Sequence, residues 1–115
     1  MKNNKIGIDI TDNKRFLTYI DDERKYSKIL SKDEINVYKR FTSDKRKVEY
    51  IASRFACKEA LYKALNIKFS LIDVSVLNNE DGAPYIKQNI CDKTISVSIS
   101  HETDYSVAMV LIEDK

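Results

Sequence analysis

The segment from Asp44 to Leu65 contains neither glycine nor proline, and Val48, Ile51, Ala52, Phe55 and Ala56 recur along it at intervals of three and four. That spacing predicts a long helix with one buried stripe, capped at its start by Ser43 or Asp44. Strands are expected after it. Phe69 to Leu77 is rich in β-branched residues, Asn78-Asn79-Glu80-Asp81-Gly82 is a turn cluster, and Tyr85 and Ile86 resume the sheet after Pro84. Ile95, Val97 and Ile99 alternate with Ser96, Ser98 and Ser100; a turn at His101–Asp104 then leads into Tyr105–Ile112, completing a hairpin. Upstream, Ile6-Gly7-Ile8-Asp9-Ile10 alternates with period two and predicts a short first strand. Asp12 is placed to cap a helix through Phe16, Leu17 and Ile20, and a basic helix is expected over Glu23–Leu30. Ser31 with Glu34 forms a capping box for a further helix to Phe41. The expected class is α+β: a largely antiparallel sheet packed against one long helix and shorter N-terminal helices. With 115 residues and no repeat or linker, one domain over 1–115 is expected.

Scarce residues exclude several chemistries. Gly7 and Gly82 are the only glycines, so neither a Gly-rich dinucleotide loop nor a P-loop can be written. His101 is the only histidine, which removes multi-histidine zinc sites. Cys57 and Cys91 form no CxxC. The longest apolar run, Val107 to Ile112, is too short to span a membrane, and Met1-Lys2-Asn3-Asn4-Lys5 lacks the apolar stretch of a signal peptide. A cytoplasmic location is therefore expected. The net charge of +2 is unevenly spread: residues 1–47 carry 13 Lys/Arg against 8 Asp/Glu, and residues 48–115 carry 7 against 10. The basic part suits an acidic partner, although Lys-rich helices also present solvated faces for no further reason.

Three residues break the pattern. Glu59 continues the apolar stripe of the long helix, so a carboxylate points toward its buried side, and Lys63 lies one turn on. The plain alternative is an i,i+4 pair on an exposed face. Asp9 sits between isoleucines in a strand, where Asp is disfavoured; a solvent-facing edge position is its plain alternative. Two displaced carboxylates suggest a hard cation such as Mg²⁺, which takes one or two protein carboxylates and completes its shell with waters and phosphate. His101 follows the serine-faced strand, but no nucleophile elbow accompanies it.

Three blocks occur in order: Gly7-Ile8-Asp9-Ile10 with Arg15, then Arg54-Phe55-Ala56-Cys57-Lys58-Glu59-Ala60-Leu61-Tyr62-Lys63-Ala64-Leu65, then Ser98-Ile99-Ser100-His101 with Tyr105 and Ala108. Together with Asp81-Gly82-Ala83-Pro84-Tyr85 they resemble the holo-[acyl-carrier-protein] synthases, the short bacterial group of 4′-phosphopantetheinyl transferases. The resemblance implies transfer of 4′-phosphopantetheine from coenzyme A to a serine of an apo acyl carrier protein, with release of 3′,5′-ADP. It implies Mg²⁺ on Asp9 and Glu59, and Lys63 beside the pyrophosphate. It also implies that Arg54, Pro84 and His101 contact the nucleotide end of coenzyme A, partly from a neighbouring subunit, with Lys45 and Arg46 as further candidates for the 3′-phosphate. Arg15, joined by Arg24, matches the grip on the acidic recognition helix of the carrier. A homotrimer with sites between subunits is implied, with no nucleic acid and no membrane as partner.

The chain departs from the family in one place. A glycine-containing loop usually follows the long helix, whereas Leu65-Asn66-Ile67-Lys68-Phe69 has none. Asn66 is expected to replace the helix-ending glycine, and Lys68 to add charge near the phosphates. A relative that binds coenzyme A or carrier protein without catalysis is the alternative reading. A small basic nucleic-acid-binding domain is a distant third, since the aromatics sit mostly at core positions.

Overall fold

Helix α3 (Asp44–Leu65) forms over the whole predicted span, in a computed structural model that describes residues 4–115. Met1 to Asn3, part of the stretch read for a signal peptide, lie outside the described residues. Ser43 Oγ caps the first turn by accepting from the Arg46 N–H at 3.2 Å. At the other end Asn66 adopts φ 55° and ψ 35°, and its N–H returns to the Tyr62 carbonyl. Asparagine thus ends the helix in the left-handed conformation usually given to glycine. Helix α3 is buried on more than one side because it serves two cores. Ile51 and Ala52 pack with Phe16, Leu30 and Tyr38, whereas Ala60, Leu61 and Ala64 pack with Val76, Ala108 and Val110.

The strands are β1 (Lys5–Asp12), β2 (Val74–Asn78), β3 (Pro84–Gln88), β4 (Thr94–His101) and β5 (Tyr105–Glu113). All pairs are antiparallel, in two sheets: β1-β5-β4, and a separate β2-β3 hairpin. The chain is α+β, as its sequence predicts. The strand expected over Phe69–Leu77 opens instead with a 3-10 turn at Leu71–Asp73, and His101 belongs to β4 rather than to the following turn.

The N-terminal helices are shorter than expected, for identifiable reasons. After β1, Asp12 caps a single 3-10 turn at Asn13–Phe16. The buried Asn13 is tied to the β4–β5 turn, donating from its backbone to the Asp104 carbonyl at 2.8 Å and from its side chain to that of Glu102 at 2.9 Å. Helix α1 (Glu23–Tyr26) stops early, and beyond it the Ile29 carbonyl accepts from Lys58 Nζ at 2.7 Å. Helix α2 (Lys32–Tyr38) starts with the predicted capping box and ends as the Arg40 and Phe41 N–H groups tighten onto the Val37 and Tyr38 carbonyls, three residues back.

The first strand faces the opposite way from what its hydrophobicity suggests. Ile6, Ile8 and Ile10 are 64%, 59% and 65% exposed, while Gly7 and Thr11 are buried and Asp9 is partly buried. The small and polar residues therefore face α3. Gly7 is required there: a Cβ at this position would lie 2.0 Å from the Ala60 carbonyl oxygen. This close approach of β1 to α3 sets where Asp9 meets the helix.

Candidate active site

Asp9 projects from β1 against α3, with its side chain only 15% exposed. Its Oδ1 accepts from Lys63 Nζ at 3.1 Å and its Oδ2 from Thr11 Oγ1 at 2.9 Å; Lys63 also donates to the Ile8 carbonyl at 3.0 Å. Lys63 thus pairs with Asp9, not with Glu59 one turn back on α3. Glu59 is half-buried and makes no hydrogen bond or ion pair among the described residues. It lines a groove of about 650 Å³ with Tyr62, Lys68 and Phe69. Neither plain alternative holds: Asp9 does not face solvent, and Glu59 is not spent on a helical ion pair.

Asp9 thus holds the Lys63 ammonium, and Glu59 lies one turn before Lys63 on α3. Among the described residues no cluster of three metal-ligating side chains occurs. The donor set suits Mg²⁺, which prefers oxygen ligands, keeps several waters and uses one or two carboxylates. It does not suit zinc, which needs three or four nitrogen, sulfur or oxygen ligands.

A second group of predicted residues gathers elsewhere. Arg46, Arg54 and His101 line a cavity of about 520 Å³ together with Arg40, Glu49 and Asn78. His101 Nδ1 lies 3.5 Å from Glu49 Oε2. The Arg46 guanidinium stacks 4.7 Å from the Phe41 ring centroid, and neither Arg40 nor Arg46 meets a carboxylate among the described residues. Arg54 is 7% exposed and fully engaged, donating to the Val76 carbonyl at 3.2 Å, to Ser53 Oγ at 3.1 Å and to Asn78 Oδ1 at 2.7 Å, while stacking 4.1 Å from the Tyr50 ring. Its charge faces the cavity although its hydrogen bonds go to protein. Two predicted residues are not lining ones. Pro84 begins β3 two residues beyond Gly82, which does line the cavity, and Lys45 faces a different groove beside Lys14 and Leu17.

Arg15 is exposed, with its guanidinium 4.6 Å from the Phe55 ring and 5.4 Å from the Phe16 ring. Arg24 is exposed on α1. Cys57 is fully buried, and burial pushes its thiol up to about 12, so it offers no nucleophile.

A model of the 4′-phosphopantetheinyl transferase superfamily matches residues 5–110. The chain belongs to that superfamily. It is 41% identical over 115 residues to the holo-[acyl-carrier-protein] synthase of Oceanobacillus iheyensis, covering 96% of each chain. Its fold matches the Bacillus anthracis holo-(acyl-carrier-protein) synthase, solved in complex with CoA (3′,5′-ADP), with a TM-score of 0.88 at 33% identity and 96% coverage of both chains. The Helicobacter pylori holo-[acyl-carrier-protein] synthase, solved in complex with coenzyme A, gives a TM-score of 0.78 at 28% identity, covering 93% of this chain and 98% of that one.

The transferase contains a polar feature that its sequence does not announce. Lys58 and Glu34 are both fully buried and paired at 2.5 Å. Glu34 also accepts from the Ser31 N–H at 2.8 Å and the Val76 N–H at 2.7 Å. Burial pushes the Lys58 ammonium below the usual lysine range, against the upward pull of Glu34. Glu34 is legible as a capping residue, but only the tertiary packing brings it to Lys58. Arg40 and Asn78, likewise, become cavity residues only once the loops close around α3.

Proposed function

We propose that the chain transfers 4′-phosphopantetheine from coenzyme A to a serine hydroxyl of an apo acyl carrier protein, releasing 3′,5′-ADP in a Mg²⁺-dependent reaction. The observation that carries this reading is Asp9, partly buried and held by Lys63 at the β1–α3 contact, with Glu59 one turn before Lys63 on α3 and in no ion pair among the described residues. Asp9 and Glu59 would hold Mg²⁺, which would supply neutralisation of the charge developing on the pyrophosphate. Lys63 exchanges its hold on Asp9 for the leaving phosphate, and its bond to the Ile8 carbonyl keeps the ammonium aimed into the site. Lys68, in the groove of Glu59, adds a second cation. The serine attacks the β-phosphorus, the bridging oxygen leaves with 3′,5′-ADP, and the serine proton passes to solvent or to a bound water.

The cavity of Arg40, Arg46 and His101 accepts the 3′-phosphate and adenosine, with its unpaired guanidiniums supplying the countercharge. Arg46 and Glu59 lie about 20 Å apart along the axis of one helix. The pyrophosphate and the 3′-phosphate leave the same ribose and cannot span that length. A composite site follows, in which the nucleotide cavity of one copy meets the carboxylates of another. The exposed sheet face supports such an assembly. Ile6, Ile8 and Ile10 stand beside Leu111, Met109 and Val107 in register, forming a continuous apolar surface that would serve as the interface of a homotrimer. Ile8→Lys is expected to yield monomers by sedimentation and to lower kcat/KM at least about tenfold, since each site loses its neighbour. Wild-type assembly of this variant contradicts the interface.

Arg15, propped on Phe55, and Arg24 present the basic surface to the acidic carrier protein. Arg15→Ala is expected to raise KM for the carrier by about three- to tenfold while leaving KM for coenzyme A unchanged, measured with each substrate varied in turn. No helix of the described residues is long and apolar enough to cross a membrane. Cys57 and Cys91 are both free, which accords with a cytoplasmic enzyme.

Release of 3′,5′-ADP, followed chromatographically with and without apo carrier and with and without EDTA, tests the reaction. Release that requires both carrier and Mg²⁺ is the expected result. Release without carrier indicates hydrolysis and contradicts transfer.

A further inference from the structure

The β2-β3 hairpin makes no strand pairing with the main sheet; it is held by core packing of Val74, Val76 and Ile86 and by side chains along the free edge of β2. At Val76 the N–H donates to Glu34 Oε2 at 2.7 Å and the carbonyl accepts from Arg54 Nε at 3.2 Å. Two buried charged side chains thus occupy the edge where a third strand would pair. One turn of the strand further, Asn78 continues the attachment. Its Oδ1 accepts from Arg54 Nη2 at 2.7 Å, and its Nδ2 donates to the Gly82 carbonyl at 2.9 Å. Chemistry fixes this orientation of the amide, because a guanidinium offers only donors and a carbonyl only an acceptor.

Asn78 therefore links a buried arginine on α3 to the far side of the exposed turn, and both Asn78 and Gly82 line the arginine-rich cavity. Gly82 holds φ at 91°, a conformation that favours glycine, and Pro84 follows it at the start of β3. The turn closes on itself through Gly82 N–H to the Asn79 carbonyl and Asn79 N–H to the Ala83 carbonyl, both at 2.9 Å. Those bonds set its shape. They do not fix it relative to α3, and Asn78 does.

We infer that Asn78 is a positioning residue for nucleotide binding: the Arg54–Asn78–Gly82 relay holds the turn bearing Pro84 as a preformed wall of the coenzyme A cavity. The inference rests on the reading of that cavity as the nucleotide site. With the relay cut, the hairpin tip keeps its internal bonds but must be ordered by the ligand, and that cost appears in binding. Asp9, Glu59 and Lys63 stand on other elements, so turnover of bound substrate is not altered.

The test uses the full chain with coenzyme A and 3′,5′-ADP as probes. Asn78→Ala removes both bonds, whereas Asn78→Asp keeps an acceptor for Arg54 and loses the donor to Gly82. Both are expected to raise KM for coenzyme A and to weaken calorimetric 3′,5′-ADP binding by about three- to tenfold, with kcat within about twofold of wild type. Arg46→Ala, which removes a cavity cation, serves as the control on the cavity itself. If Arg46→Ala weakens 3′,5′-ADP and neither Asn78 variant does, the relay is overturned and the cavity reading stands. If none of the three weakens it, the cavity reading falls and the inference with it. A fall in kcat at unchanged KM in the Asn78 variants also overturns the inference, since a general structural role gives that pattern.

Discussion

Glu59→Gln is expected to lower phosphopantetheinyl transfer by about 10²–10³-fold while leaving the fold intact. Glu59 has no hydrogen bond or ion pair among the described residues and is half-buried at the rim of a groove, so the neutral amide removes no structural contact. A surface change of that kind shifts stability by no more than about 0.5 kcal/mol. The loss comes from the charge, because an amide binds Mg²⁺ far more weakly than a carboxylate does. Asp9→Asn is expected to reduce turnover comparably. There the ion pair to Lys63 is also removed, but the Lys63 side chain is 53% exposed and a solvent-screened pair is worth about 0–1 kcal/mol. Steady-state rates at varied Mg²⁺, with circular dichroism as the fold control, decide the matter. Wild-type turnover at saturating Mg²⁺ in either variant removes that carboxylate from the metal site.

The largest effect on stability is expected at Glu34. Glu34→Gln leaves the Lys58 ammonium fully buried with no countercharge, only neutral acceptors, and sets the new amide N–H₂ against a donor that Glu34 now satisfies, such as the Val76 N–H. Breaking one side of a buried pair costs about 3–5 kcal/mol, or a fall in Tm of about 10–25 °C for a domain of this size. Lys58→Met is expected to cost less. The carboxylate it strands keeps two N–H donors, from Ser31 and Val76, whereas the ammonium in Glu34→Gln keeps only neutral acceptors. The variant's pH dependence has a definite sign. Burial already depresses Lys58, and without Glu34 its folded-state value falls further, so the unfolded chain binds more protons between that value and the normal lysine range. The penalty is full below the folded value, and stability is regained as pH rises through that window. Urea denaturation across the alkaline range measures it; equal stability of Glu34→Gln and wild type contradicts the account of the network.

What was legible in the sequence was periodic or tied to a short motif. Helix α3, its Ser43 cap and its Asn66 terminus follow from spacing and from residue conformational preference, which are local properties. Asp9 and Glu59 stood out because each breaks a hydrophobic pattern; the fold pairs Asp9 with Lys63 and leaves Glu59 without an ion pair among the described residues. The facing of β1 was not legible. Alternating isoleucines ordinarily mark the buried face, yet here that face is open on the chain itself and suits a second copy, while Gly7 faces inward because α3 passes too close for a side chain. The early end of α1 and the buried Glu34–Lys58 pair depend on partners far along the chain, which no local pattern encodes. Arg54 illustrates the limit in another way. The resemblance implies a nucleotide contact, and the structure shows that the same guanidinium also fastens β2 to α3.

The most direct measurement of the central claim is the mass of an apo acyl carrier protein after incubation with this chain, coenzyme A and Mg²⁺. The account predicts a gain of one phosphopantetheine group with the wild-type chain, and an unmodified carrier when EDTA is present or Glu59→Gln is used. An unmodified carrier with wild type and Mg²⁺, where a related holo-[acyl-carrier-protein] synthase modifies the same carrier, contradicts it.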